Sequence, residues 1–187
     1  MRSRLTKFLA APILALLLAA CSGPRLAKPD AGDAACHGKD PAAEARGTQG
    51  VSAAHPFNPY VGKDSYANVA LDAGTVLYSL TPGAPPGFAV LEDTLREAGG
   101  SQARYYALVQ VSLEPGKDEQ GRPRSLRDRL RAFHVLERLC AARGMALANP
   151  QFGSGGGIQY YVSPSDLNKL RPAGIAPISH WSPSMYP

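Results

Sequence analysis

Read for hydrophobic and polar positions, the chain divides into one apolar block, one polar stretch and a series of short apolar runs. The block, residues 9–20, is apolar throughout, with Pro12 inside it, and follows Arg2, Arg4 and Lys7. It is too short for a membrane span and has the layout of a secretory signal over residues 1–20. From Ser22 to Gln49 large apolar residues almost vanish in favour of Ala, Gly, Asp, Lys and Pro. Such a composition buries too little surface to offset ordering, so residues 21–50 are expected to be a flexible tether. Residues 51–187 hold enough apolar positions for one compact domain.

Within that domain the pattern predicts a strand over 75–80, launched from Asp72-Ala73-Gly74. A Pro- and Gly-rich loop follows, then a short helix over 88–98 with Leu91 and Leu95 on one face and Gly99-Gly100 as its stop. Residues 105–113 alternate in character and predict a strand, and a charged loop covers 114–124. Ser125 is placed to cap a helix running to Arg143, with Leu126, Leu130, Phe133, Leu136 and Cys140 on its core face. Arg127, Arg131, His134 and Arg138 fall on another side of that helix, as a solvated face or as a stripe that meets an anion. A short strand at 146–149, a strand at 158–162, a turn or short helix at 165–170 and a last strand at 175–178 complete the set. Helices and strands mix without a βαβ rhythm, which predicts an α+β domain with a short mixed or antiparallel sheet and two to three helices.

Charge changes this picture little. The formal net charge of +5 falls to +2 once the three basic residues of the leader are removed, so no nucleic acid is expected as a partner. Beyond Cys21, the cysteines Cys36 and Cys140 are left either to pair in an oxidising compartment or to remain as two thiols. Four scattered histidines and the lack of His-Glu-x-x-His or paired Cys-x-x-Cys give no metal site. The most unusual stretch is Phe152-Gly153-Ser154-Gly155-Gly156-Gly157-Ile158-Gln159-Tyr160, glycines opening directly into strand formers. Two readings stand: a hairpin loop before an ordinary strand, or a ligand-facing loop followed by a functional glutamine.

Two resemblances add to the residue reading. Leu18-Ala19-Ala20-Cys21 resembles the lipobox of bacterial lipoproteins, which implies cleavage before Cys21 and a lipid bilayer as partner through the acylated cysteine. With Ser22 following rather than aspartate, the resemblance implies a lipid-anchored place in the cell envelope, at the outer membrane. Phe-Gly-x-Gly-Gly-Gly-x-Gln-Tyr at 152–160 resembles the signature of bacterial toxin domains of the tuberculosis necrotizing toxin type, NAD glycohydrolases related to ADP-ribosyltransferases. Gly74-Thr75-x-Leu77-Tyr78, Leu80-Thr81-Pro82-Gly83, Tyr105-Tyr106-x-Leu108-Val109 and Leu167-x-x-Leu170-x-x-x-Gly174-Ile175 follow the same order.

That resemblance implies NAD or NADP as substrate, with no separate cofactor, and a cognate immunity protein as partner. It makes Gln159 the residue that meets ribose hydroxyls or the attacking water; on residue type alone, His134 is a candidate phosphate partner or general base. Gly155, Gly156 and Gly157 would admit the dinucleotide to backbone N–H groups, Arg104 would take the pyrophosphate, and Phe152 or Tyr160 would stack on a ring. The chain would then be a secreted toxin that cleaves NAD(P), or transfers its ADP-ribose, in a competing cell. Two other classes stay open on the residues: a non-catalytic envelope lipoprotein binding a partner or an anionic envelope component, and an immunity protein with a toxin-like fold.

Overall fold

The computed structural model describes residues 34–53, 64–80, 85–111, 120–121, 127–149, 152–183 and 185. The leader, its lipobox and Cys21 lie outside these residues. Among the described residues the helices are α1 (Pro41–Ala53), α2 (Glu92–Ala98) and α3 (Gln102–Val109). The strands are β1 (Ser65–Leu71), β2 (Val76–Ser79), β3 (Phe88–Ala89), β4 (Arg129–Val135), β5 (Leu139–Met145), β6 (Ile158–Val162) and β7 (Leu170–Pro177). One sheet has the order β1-β5-β6-β3 and the other β2-β4-β7, and every pairing is antiparallel. A bridge between Tyr78 and Val90 joins them. The domain is thus α+β, as the mixed pattern predicts.

Three apolar layers hold it together. Leu77, Phe133 and Val135 of one sheet pack with Leu139, Ala141 and Val162 of the other. Helices α2 and α3 bury Leu95, Tyr105, Tyr106 and Leu108 against Tyr78, Leu130 and Ala132. On the far side of the larger sheet, α1 sets Ala42 and Ala45 against Tyr66, Ala142 and Tyr161.

The helix expected from Ser125 to Arg143 is instead the hairpin β4–β5, turning at Leu136–Arg138. Both strands are interior to their sheets and apolar on both faces: Leu130 and Ala132 face the α2–α3 layer, while Phe133 and Val135 face the layer between the sheets. A strand covered on both sides loses its alternation, and its apolar residues then fall by chance at helical spacing. Arg127, Arg131, His134 and Arg138 consequently share no helix face. The opposite correction applies at 105–113, where α3 forms. Ser101 caps it, its Oγ accepting from the Arg104 N–H at 3.2 Å, and burial of Tyr105, Tyr106, Leu108 and Val109 follows a helical period. Residues 88–98 divide into β3 and α2, which ends at left-handed Gly99 as predicted.

The expected tether is corrected over its second half. Ala34–Cys36 is a 3-10 turn, α1 follows, and both lie on the sheet. Small side chains and polar ties replace the large apolar residues whose scarcity suggested disorder. Cys36 is disulfide-bonded to Cys140, 104 residues away. Asp40 caps α1 by accepting from the Ala43 N–H at 3.0 Å, and that bond first, then one from Asn68, holds its carboxyl below the ordinary range. Gln49 Nε2 donates to Asp64 Oδ2 at 2.6 Å, and Asp64 Oδ1 accepts from the Leu147 N–H at 2.9 Å. Lys39 pairs with buried Asp166 at 2.7 Å, and Lys169 approaches the same carboxylate at 3.3 Å.

Candidate functional site

Alternation along β6 sends Tyr160 and Val162 into the layer between the sheets and leaves Gln159 and Tyr161 on the opposite face. Gln159 there forms part of a cleft of about 390 Å³. One wall is α3, with Tyr105, Tyr106 and Val109. The other is residues 86–90, including Phe88, and Ser79 and Leu80 at the end of β2 close the back. Arg127 reaches the same cleft. Aromatic walls, with one amide and one arginine among the lining residues, suit a ligand with a planar ring and an anionic group. A second hollow, of about 320 Å³, carries Glu92 and Asp93 and would repel such an anion.

The tyrosines hold the cleft neutral and the arginine fixed. Burial pushes the Tyr105 hydroxyl far above the usual tyrosine range, with Tyr106 adding to the shift. Burial also raises Tyr106, against the hydrogen bond to Arg127. The Tyr106 hydroxyl donates to the Arg127 carbonyl at 2.9 Å and accepts from the Arg127 N–H at 3.1 Å. Gln102 Nε2 donates to the same carbonyl at 2.6 Å. Three bonds thus set the backbone from which the guanidinium extends.

The glycine run is not the ligand cradle that the sequence suggests. Its amides are already used: Gly153 N–H donates to Asn149 O at 2.8 Å, Gly155 N–H to Ala107 O at 3.0 Å, Gly156 N–H to Ala146 O at 2.8 Å and Gly157 N–H to Leu108 O at 3.1 Å. Glycine is required because backbone passes so close. A Cβ at Gly155 would lie 2.5 Å from Ala146 O, and one at Gly157 would lie 2.9 Å from Leu108 O. Gly155 also takes the left-handed φ of +63°. Gln159 Nε2 donates to Val109 O at 2.8 Å.

Of the catalytic and substrate-binding residues expected from the NAD glycohydrolase resemblance, Gln159 alone lines the cleft. Phe152 is buried away from it, and Tyr160 points into the layer between the sheets, its hydroxyl accepting from Arg143 Nε at 3.3 Å. Arg104 is exposed on the first turn of α3, and His134 sits on β4 opposite Val76 and Arg171, so neither joins Gln159. Among the described residues no group of His, Cys, Asp and Glu could hold a metal ion. Arg127 was read only as one member of a helical stripe, solvated or meeting an anion, and the tyrosine pair was missed as part of a site. Tyr105-Tyr106 was visible as an aromatic doublet, but reading it as a strand hid the helical wall it forms.

Comparison with known proteins bears on this geometry. Residues 37–164 match the family model described as the Rhs1 C-terminal toxin domain. No curated protein sequence matches the chain significantly. Among solved structures, Rhs1-CT in complex with its cognate immunity protein RhsI1 is 28% identical, with a TM-score of 0.58, covering 74% of this chain and 96% of that one. Tse6 in complex with Tsi6 is 16% identical with a TM-score of 0.40, covering 76% and 98%. Tne2 in complex with Tni2 is 13% identical with a TM-score of 0.43, covering 62% and 92%. The last two likenesses are too distant to add to the first.

Proposed function

The chain belongs to the Rhs1 C-terminal toxin domain family, and on that premise we propose that it is a toxin of bacterial competition whose cleft binds NAD or NADP and cleaves the bond between nicotinamide and ribose. The observation that carries this reading is the position of Gln159, the polar member of the Gly-Gly-Gly-x-Gln-Tyr stretch, in a cleft whose lining combines aromatic walls with an arginine. Nicotinamide in NAD leaves as a neutral molecule. The ribose C–N bond breaks with its electron pair passing to the pyridinium nitrogen, water adds to the ribose carbon, and a proton goes to solvent. Such a step needs little acid catalysis and much stabilisation of an oxocarbenium-like ribose. The Gln159 carbonyl oxygen can accept from a ribose hydroxyl or from the attacking water, Arg127 can take the pyrophosphate, and Phe88 with the α3 tyrosines can enclose the rings. Transfer of ADP-ribose to an acceptor would use the same groups, with the acceptor in place of water.

In this reading the leader and lipobox deliver the protein to the envelope, anchored at the outer membrane through acylated Cys21, from which contact passes it to a neighbour. A cognate immunity protein protects the producer. This is supported by the likeness to Rhs1-CT, which was solved with such a partner. The test is nicotinamide release from NAD and NADP by residues 22–187, together with growth on cytosolic expression of the same segment. Release with growth arrest, both lost in Gln159→Ala, is the expected result. Intact dinucleotide after hours and harmless expression would overturn it.

A further inference from the structure

The last main-chain bond of α3 runs from the Gln110 N–H to Tyr106 O, so the carbonyls of residues 107–109 have no main-chain partner inside the helix. Tyr106 O accepts from the N–H of Val111 at 3.0 Å, the chain having turned through left-handed Gln110 with φ of 57°. The other three are met in order by residues 155, 157 and 159, with Ala107 O also accepting from Gln110 Nε2 at 2.6 Å. Gly155 N–H donates to Ala107 O, Gly157 N–H to Leu108 O and Gln159 Nε2 to Val109 O. Gly155 and Gly157 precede β6 and Gln159 lies within it, so the loop and the strand it opens into present three donors in register with the helix end.

The opposite wall of the cleft hangs on the same strand. Phe88 and Ala89 pair with Tyr161 and Tyr160, and Val162 N–H donates to Gly87 O at 2.8 Å. Thr94 Oγ1 of α2 both donates to Ile158 O at 3.0 Å and accepts from Ile158 N–H at 3.1 Å. Strand β6 therefore gauges the separation between α3 and residues 86–90.

We propose that Gly155, Gly157 and Gln159 act as positioning residues, forming a receptor for the C-terminal end of α3 that sets the width of the cleft. Its consequence for turnover rests on the NAD-cleavage reading above, whereas its consequence for α3 does not. Gly157 does not line the cleft, so Gly157→Ala disturbs the receptor by pressing a methyl on Leu108 O and leaves the Gln159 amide in place. Gln159→Met keeps the length of the side chain without the donor, and serves if Gly157→Ala does not fold.

Amide hydrogen exchange on residues 22–187 reads the first consequence. In both variants the α3 amides should exchange at least about tenfold faster while those of β5 keep their protection. Unchanged α3 exchange, or α3 and β5 accelerating together, overturns the receptor. Steady-state cleavage of NAD reads the second. Gly157→Ala should raise KM about tenfold and change kcat less than about twofold, the signature of lost ground-state positioning. A loosened α3 with unchanged KM overturns the link to the cleft. A wild-type chain that cleaves no NAD sinks the functional reading, and the exchange experiment still decides the receptor.

Discussion

Two helices are docked on the same sheet by different means. Helix α1 and the turn before it are fastened to β5 by a disulfide, to the turn after β6 by Lys39 on Asp166, and to the start of β1 by the Gln49–Asp64 pair. Helix α3 meets β6 through main-chain bonds from two glycines and one glutamine amide. The first attachment is covalent and ionic, lies away from the cleft, and constrains the unfolded chain as much as the native one. The second consists of bonds that are each worth about 0.5–1.5 kcal/mol net, and it forms the cleft wall itself. The stronger attachment lies away from the cleft, and the more adjustable one forms its wall.

That contrast can be broken most forcefully at the α1 end. Cys36→Ser with Cys140→Ser should destabilise the domain by about 3–5 kcal/mol, the scale for a loop of this length, read as a large fall in the thermal midpoint. KM of the folded fraction should not move. At the α3 end, Gln159→Ala should lower nicotinamide release about 100-fold, the scale for one preorganised group at a reacting centre, with a midpoint shift of about 1 kcal/mol or less. Arg127→Ala should raise KM about tenfold and flatten its dependence on ionic strength, measured from 50 to 300 mM salt as an order-of-magnitude window.

The smallest effect returns to the α1 side. Asp166→Asn should cost about 1 kcal/mol, since both lysines keep contact with water. Its pH dependence has a definite sign. Burial alone would raise the Asp166 carboxyl, but hydrogen bonds from Lys39 and Lys169 outweigh it and the net shift is downward. The contribution of the pair is thus complete above the unfolded value of 3.8 and is lost as the pH falls through the lower folded value. Acid unfolding followed by circular dichroism should show the wild type losing its advantage over Asp166→Asn only below about pH 4.

What the sequence disclosed depended on how many faces of an element are covered. Strand β2, strand β6 and the Gly99 stop are legible because local signals there agree with the tertiary setting. Strands β4 and β5 are not, because burial on both faces of Leu130–Val135 and Leu139–Ala142 erases the alternation that marks a strand. Helix α1 escaped because Ala42 and Ala45 pack without bulk. At the site, Gln159 was found through its motif, yet the glycines before it were assigned to a ligand when they serve a helix end. Nothing local shows that Ala107 and Leu108 will arrive there. Arg127 was visible only as one charge among several, because its place in the cleft depends on a hydroxyl 21 residues earlier.

The position of β6 within the sheet has one more consequence, which concerns synthesis. It lies between β5 and β3, late in the sequence yet interior in space. Until residues 158–162 have been made, β3 has no strand to pair with, α3 has no receptor, and the cleft has no floor. A nascent chain therefore carries no assembled cleft through most of its translation. Truncation before Ile158 removes the middle of the sheet rather than an edge, leaving a fragment without an assembled cleft.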